Sequence, residues 1–159
     1  MNAFELQGQY GENIVQNYYI ENGFTVVKNP DDYGRWDLFV YNKNEAYTIQ
    51  VKTMVRYIIK NYFGICAGPS GRAFETLRTC DKLILVVRNP DNPNIGKDKE
   101  FGGKVLEVLN HEKFTIQNNN YIIPSRWSNF KLLTELTPQQ IIEVDSFKTG
   151  ANYGRKTRY

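Results

Sequence analysis

Residues 35–53 read RWDLFVYNKNEAYTIQVKT, and this stretch decides the fold of the chain. Its two ends, 35–41 and 46–53, are rich in aromatic and β-branched residues, which favour β-strands. Four polar residues, 42–45, separate them. This pattern is typical of two antiparallel strands joined by a short turn.

The centre of the turn determines which residues face each other. With the hairpin centred between Lys43 and Asn44, Asp37 lies opposite Gln50, whether the turn has two or four residues. Facing side chains on one side of an antiparallel pair are about 5 Å apart at Cβ. Because strand side chains alternate between faces, Lys52 shares the face of Gln50. The pairing therefore predicts a carboxylate, an amide and an ammonium group close together.

These three groups suit a metal site that acts on a phosphate. Mg²⁺ prefers oxygen ligands and is usually bound by one or two carboxylates when phosphate supplies further ligands. Asp37 is the expected direct ligand, and the side-chain oxygen of Gln50 and the main-chain oxygen of Val51 lie within reach. Lys52 is expected to orient or deprotonate a water molecule, or to offset charge that develops at phosphorus.

This arrangement resembles the PD-(D/E)XK nuclease family, whose pattern is an acidic residue, a hairpin and an acidic-x-Lys triplet. The triplet here is Gln50-Val51-Lys52, so an amide replaces the usual second carboxylate. Pro30-Asp31 matches the first two letters of the family name, but it lies in a predicted loop, whereas Asp37 has the hairpin register. Each of these residues alone is common on a solvated sheet, but their conjunction favours a nuclease site.

The family often carries a glutamate on its leading helix, and the resemblance assigns this role to Glu12 as a further metal ligand. Gly8 and Gly11 flank the same part of the predicted helix. Glycine costs a helix about 1 kcal/mol relative to alanine. Both glycines are therefore expected to serve a close approach of the helix to the hairpin.

The resemblance implies an α/β fold with the αβββαβ core of restriction endonucleases and a mixed sheet. The chain pattern agrees with this order, with a helix over 4–22 ended by Asn22-Gly23, and a short strand over 24–28 before the hairpin. The remaining predicted elements are a strand or extended loop over 54–65, a helix over 71–79 capped by Ser70, and a central strand over 81–88. Beyond this core, the pattern predicts a second hairpin of 104–109 with 113–117, a strand over 121–123, a helix beginning with Thr137 and Pro138, and a basic tail.

Composition sets further limits. A chain of 159 residues is expected to form one nuclease domain over 1–159, with the core in about 1–90 and additions for DNA contact and oligomerisation in 91–159. No apolar run approaches the ~20 residues of a membrane span, and no signal peptide or phosphate-cradling loop is present. Cys66 and Cys80 lack paired spacing, which argues against zinc and disulfides and favours a cytoplasmic location. His111 is predicted to be exposed in a turn.

The net charge of +3 is mild, but basic residues concentrate in two regions, 52–82 and 147–159. Such regions suit a phosphate backbone, although a solvated helix face and a loose terminus would look the same. The candidate DNA-binding residues are Arg35, Lys60, Arg72, Arg126 and Lys131.

Within the superfamily, the chain is similar to the small intron-encoded homing endonucleases of cyanobacteria. The resemblance implies a sequence-specific double-strand DNA endonuclease that uses Mg²⁺ or Mn²⁺, has no organic cofactor and acts as a homodimer or tetramer. A Holliday-junction resolvase, a restriction-type nuclease, a catalytically silent DNA-binding module and a protein-interaction domain remain alternatives.

Overall fold

The computed structural model describes residues 3–30, 36–59, 62–66, 77–87, 98–117 and 120–147, and these form a mixed α/β fold. The helices are α1 (Ala3–Glu21), α2 (Asp98–Phe101) and α3 (Pro138–Asp145). The strands are β1 (Thr25–Lys28), β2 (Leu38–Tyr41), β3 (Ala46–Ile59), β4 (Tyr62–Cys66), β5 (Lys82–Val87), β6 (Lys104–Val108), β7 (Thr115–Gln117), β8 (Asn120–Pro124) and β9 (Phe130–Glu135).

Six strands form a mixed sheet in the order β1-β2-β3-β5-β6-β9. The first three are antiparallel neighbours, β5 runs parallel to β3, and β6 and β9 follow antiparallel. The far end of β3 leaves this sheet and pairs with β4, which continues through β8 to β7 as a second small sheet. The segment 54–65, which the sequence left open between strand and loop, thus contains the end of one long strand and most of the next.

The predicted register of the first hairpin is confirmed. Leu38 pairs with Ile49 and Tyr41 with Ala46, which is the alignment that a turn centred between Lys43 and Asn44 requires. The ladder is shorter than predicted, because β2 begins only at Leu38. Asp37 therefore lies immediately before the strand.

Strand β5 is the centre of the sheet, as its continuous apolar sequence predicts. Its residues from Leu83 to Val87 are all buried. Leu83, Leu85 and Val87 contribute to the core on one face, and Ile84 and Val86 to the core on the other. The first core also contains Phe63, Phe101 and Phe130, whereas the second is covered by α1 and α3.

Helix α1 packs against β3 through Gly11. A Cβ at this position would lie 1.8 Å from Thr53 Oγ1, so only glycine permits the contact. The same expectation for Gly8 is wrong, because a Cβ there would meet nothing within 4 Å. The predicted end of the helix is confirmed at Gly23, whose φ of 88° is accessible mainly to glycine.

The predicted hairpin of 104–109 with 113–117 is wrong. Strand β6 pairs with β5 and β9, while β7 pairs with β8 in the small sheet. The reason is burial, because Val105, Leu106 and Val108 are buried and require neighbours on both sides. The prediction that His111 is exposed is also wrong, since it begins the 3₁₀ turn His111–Lys113 and its own side chain is buried.

Helix α3 begins as predicted, with Pro138 in its first turn and a capping box between Thr137 and Gln140. Tyr10 of α1 donates a hydrogen bond from its hydroxyl to Glu143 of α3. Val144 is buried in the core under α1, whereas Ile142 is exposed.

Two aromatic residues near the start of β9 differ in burial. Phe130 belongs to the buried core, whereas Trp127 is exposed on one side and packs against Phe101, with ring centroids 4.6 Å apart. None of the helices in the described ranges has the length and apolar character needed to cross a membrane. Of the predicted helix over 71–79, residues 77–79 are helical and the remainder, with Ser70, lies outside the described residues, as does the tail from 148.

Candidate functional site

Asp37 is held at the open end of the β2–β3 ladder by its main chain and its carboxylate. Its N–H donates to Ile49 O at 2.8 Å, which joins the residue to β3. Its carboxylate oxygen Oδ2 accepts a hydrogen bond of 2.8 Å from the Val51 N–H. The carboxylate thus replaces the main-chain acceptor that β2 would supply if the ladder continued, and this places a negative charge at a fixed point on β3.

The surroundings of Asp37 act on its ionisation in opposite directions. Burial raises the pKa of the carboxyl group, because the charged form loses hydration. The Val51 hydrogen bond and the charge of Lys52 lower the pKa, but burial is the larger effect and the net direction is upward. A cation beside this carboxylate would therefore stabilise the ionised form.

Gln50 supplies a buried oxygen next to this carboxylate along β3. The residue is 7% exposed, and its side-chain Oε1 has no hydrogen-bond partner among the described residues. Leaving such a polar atom without a partner costs about 1–3 kcal/mol. Because a folded chain rarely retains an uncompensated buried oxygen, this atom is a candidate ligand for a cation.

Val51 and Lys52 complete the group of predicted residues on β3. The N–H and C=O of one strand residue point towards the same neighbouring strand, so the Val51 carbonyl points to the side on which Asp37 lies. Lys52 is half-buried, and its charge acts on the Asp37 carboxyl group. No described carboxylate forms an ion pair with Lys52.

Glu12 lies on α1, one residue after the contact between Gly11 and Thr53. Its side chain is half-buried. Helix α1 covers the face of β3 that carries Ile49 and Val51, which is opposite to the face of Gln50. The structure thus joins Asp37 to Val51, whose neighbours on β3 are Gln50 and Lys52, and it places Glu12 on the helix that covers the opposite face from Gln50.

The donor set fits a hard divalent cation. Carboxylate, amide and main-chain oxygens are the ligands that Mg²⁺ takes from proteins. Among the described residues no cluster of three or more His, Cys, Asp and Glu residues could hold a metal. The predicted set would not form such a cluster, because only Asp37 and Glu12 belong to these residue types.

The predicted DNA-binding residues are distributed over several elements. Arg126 is exposed before the 3₁₀ turn Trp127–Asn129, and Lys131 is exposed on β9, where it pairs in register with Glu107. Arg35, Lys60 and Arg72 lie outside the described residues. Lys82, part of the predicted basic region, instead forms an ion pair with Glu107 at 3.3 Å.

The sequence analysis did not predict a buried polar pair formed by Cys80 and His111. The Cys80 sulfur and the His111 Nε2 are 3.8 Å apart, and both residues are buried. Burial raises the pKa of the Cys80 thiol to about 12, a main-chain hydrogen bond from Gln50 lowers it, and the Asp37 charge raises it. The charge pattern gave no signal for this pair, since its two residues are 31 positions apart.

Neither the models of protein families nor the curated proteins include a match to this chain.

Proposed function

We propose that the chain is a divalent-metal-dependent DNA endonuclease of the PD-(D/E)XK type, and that it cuts both strands at a specific sequence in the manner of a homing endonuclease. The observation that carries this proposal is the unpartnered, buried oxygen of Gln50 beside the anchored carboxylate of Asp37. Lys52 lies two residues after Gln50 on β3, and its charge lowers the pKa of the Asp37 carboxyl group.

The proposed ligands of Mg²⁺ or Mn²⁺ are Asp37, Gln50 and the Val51 carbonyl, and Glu12 would approach the metal from the opposite face of β3, which α1 covers. Asp37 provides negative charge, and its position is fixed by the Val51 N–H. Gln50 provides a neutral oxygen that is already buried from water, so binding of the metal would not have to remove water from it. With one amide in place of a carboxylate, the site holds a cation less strongly than two carboxylates would.

The proposed reaction is hydrolysis of a phosphodiester bond with inversion at phosphorus. A bound divalent ion would activate a water molecule and neutralise charge on the phosphate oxygens. The water oxygen forms a bond to phosphorus while the bond from phosphorus to the leaving oxygen breaks. Lys52 is a hydrogen-bond donor that orients the water or stabilises the charge that develops on the phosphate.

The strand order supports the same proposal. An antiparallel meander of β1, β2 and β3, followed by the parallel strand β5, is the arrangement expected of the αβββαβ core. Helix α1 covers one face of this part of the sheet. Strand β4 is an insertion in this order, and it extends the chain into the second small sheet.

A single site of this kind cuts one strand, so double-strand cleavage requires at least two copies of the chain. In a homodimer or a dimer of dimers, a two-fold axis relates two active sites, so that each site can face one strand of the duplex. The exposed Arg126 and Lys131 are proposed to contact the DNA backbone, which makes affinity fall with salt.

The experiment that tests this proposal incubates the pure protein with a randomised linear DNA library and with supercoiled plasmid, in Mg²⁺ or in EDTA. We expect cutting at one long sequence in Mg²⁺ and none in EDTA. Mg²⁺-dependent cutting confined to four-way DNA would overturn the homing assignment in favour of a junction resolvase. Salt-sensitive binding without cutting would overturn the enzymatic assignment and leave a silent DNA-binding module.

A further inference from the structure

His111 is the only histidine in the chain, and its side chain is buried. Its Nε2 lies 2.8 Å from the main-chain oxygen of Cys80. A carbonyl oxygen can only accept, so Nε2 carries the proton and donates it to this oxygen. The other ring nitrogen, Nδ1, lies 3.7 Å from a carboxylate oxygen of the exposed Glu112. The imidazole therefore ties the turn after β6 to the segment that precedes β5.

The segment around Cys80 is fixed by contacts on both sides. The Cys80 thiol donates to Leu77 O at 3.4 Å, which closes the helical turn at 77–79. The next residue, Asp81, donates its N–H to Thr48 Oγ1 at 3.0 Å and accepts from the Thr48 N–H at 2.8 Å. Cys80 is thus clamped between the imidazole of His111 and strand β3.

Gln50 lies two residues after Thr48 on β3, on the same face of the strand. In the parallel ladder it pairs with Leu83, three residues after Cys80. Leu83 and Cys80 belong to the same buried core cluster, so the Gln50 side chain lies on the sheet face on which Cys80 packs. The segment that His111 fixes therefore lies on the same face of the sheet as the Gln50 side chain, and the next residue of β3, Val51, binds the Asp37 carboxylate.

We infer that His111 is a positioning residue for Gln50. Its N–H holds the Cys80 carbonyl, and the fixed turn sets the place of the Gln50 amide oxygen beside the Asp37 carboxylate. This inference rests on the proposed function for the role of Gln50 as a metal ligand. It extends that function to a buried residue that is not itself a proposed metal ligand.

Two amide substitutions separate the positioning role from a general loss of packing. His111→Gln retains an N–H donor at nearly the distance of Nε2, whereas His111→Asn retains the polarity but is too short to reach the Cys80 oxygen. Loss of a residue that orients a metal ligand typically weakens metal binding about 10–100-fold. We expect His111→Asn to weaken binding by about 10-fold, the lower end of that range, and His111→Gln to restore most of the affinity.

The experiment uses the full chain without DNA and has two readouts. Terbium(III), the probe that replaces Mg²⁺, is titrated while its luminescence sensitised by the neighbouring Trp36 is recorded. The side-chain amide resonances of Gln50 are measured by NMR in EDTA. We expect His111→Asn to shift these resonances and weaken terbium binding, and His111→Gln to leave both close to the parent values. Unchanged Gln50 resonances and terbium affinity in a folded His111→Asn chain would overturn the inference.

Two further variants separate the inference from the proposed function on which it rests. If Gln50→Ala binds terbium as tightly as the parent chain, the ligand role of Gln50 fails, while the NMR shift still tests the action of His111. If His111→Asn does not fold, His111→Leu takes its place, because it fills the buried space but has no N–H to donate to the Cys80 carbonyl. The inference then requires shifted Gln50 resonances in His111→Leu, and unshifted resonances would overturn it.

Discussion

The side-chain oxygen of Gln50 is buried with no hydrogen-bond partner among the described residues. We expect this to lower the free energy of unfolding of the metal-free protein. Gln50→Met keeps the length of the side chain and removes the polar atoms. We expect the substitution to raise the free energy of unfolding in EDTA by about 1 kcal/mol. Urea denaturation measures this change, and Mg²⁺ should stabilise the parent chain but not the variant.

Ser125→Ala is the matched control for this prediction. The Ser125 hydroxyl is also buried without a partner in the described part of the chain, and the residue follows β8. Its removal should leave the stabilisation by Mg²⁺ unchanged. A Gln50→Met chain that is less stable in EDTA than the parent would show that the amide oxygen has a partner and is not free to bind a metal.

The Asp37 carboxyl group predicts a pH dependence of stability. Burial raises its pKa in the folded chain above the ordinary value of about 3.9. Between the unfolded and folded pKa values the folded chain binds more protons, so its free energy of unfolding falls as the pH rises through this window. Asp37→Asn removes this fall, because the amide does not ionise in this range.

Urea denaturation in EDTA at several pH values, from about pH 4 upward, measures the effect. We expect the free energy of unfolding of the parent chain to decrease with pH relative to that of Asp37→Asn. At the highest pH values, added Mg²⁺ should make the free energy of unfolding of the parent chain larger than that of Asp37→Asn. Parallel curves for the two chains would contradict a buried carboxyl group with a raised pKa.

At the level of the elements, the contact of α1 with β3 distinguishes two glycines of the same helix. A Cβ at Gly11 would lie 1.8 Å from Thr53 Oγ1, whereas a Cβ at Gly8 would meet nothing within 4 Å. We expect Gly11→Ala to lower the free energy of unfolding by about 1–3 kcal/mol. Gly8→Ala should raise it by up to about 1 kcal/mol, because alanine favours the helix.

Thermal or urea denaturation of the two alanine variants tests this difference. Thr53→Ala combined with Gly11→Ala should recover part of the loss, since it removes the closest atom, Oγ1. Two alanine variants of equal stability would contradict the close packing of α1 on β3. Gly11→Ala should also reduce cleavage more than Gly8→Ala does, because Glu12 is the next residue.

The elements that sequence analysis predicted correctly are those determined by near neighbours in the chain. The hairpin of β2 and β3 follows from a four-residue turn, and the start of α3 follows from Thr137 and Gln140, three positions apart. The partners of β6 could not be predicted in the same way, because β6 pairs with β5 and β9 across long separations in sequence.

The same distinction explains what could be predicted of the candidate site. Asp37, Gln50 and Lys52 could be proposed as one group because a local hairpin aligns them, and the register of that hairpin is confirmed. The burial of His111 was missed, because its hydrogen-bond acceptor is the Cys80 carbonyl, 31 positions away. A solitary polar residue carries no periodic pattern that would indicate such a partner.

At the level of the whole molecule, the proposed activity requires two copies of the chain on one DNA duplex. A mixture of parent chain and Asp37→Asn, refolded together, should contain oligomers with one active site. We expect these to nick a plasmid that carries the selected target, so that open circles accumulate in place of linear DNA. If the mixture yields linear DNA at a merely reduced rate, the two strands are not cut by different copies.

The proposed activity depends on Asp37 as the anchor of the metal that cleaves DNA, and single-turnover cleavage of the selected target measures this dependence. The parent chain, Asp37→Asn and the control Glu107→Gln are compared at equal DNA occupancy in Mg²⁺. Glu107 pairs with Lys82, away from the β2–β3 hairpin. We expect Asp37→Asn to bind DNA and to cut it about 100-fold more slowly or not at all, whereas Glu107→Gln should cut like the parent. If Asp37→Asn cuts as fast as the parent, Asp37 does not anchor the catalytic metal.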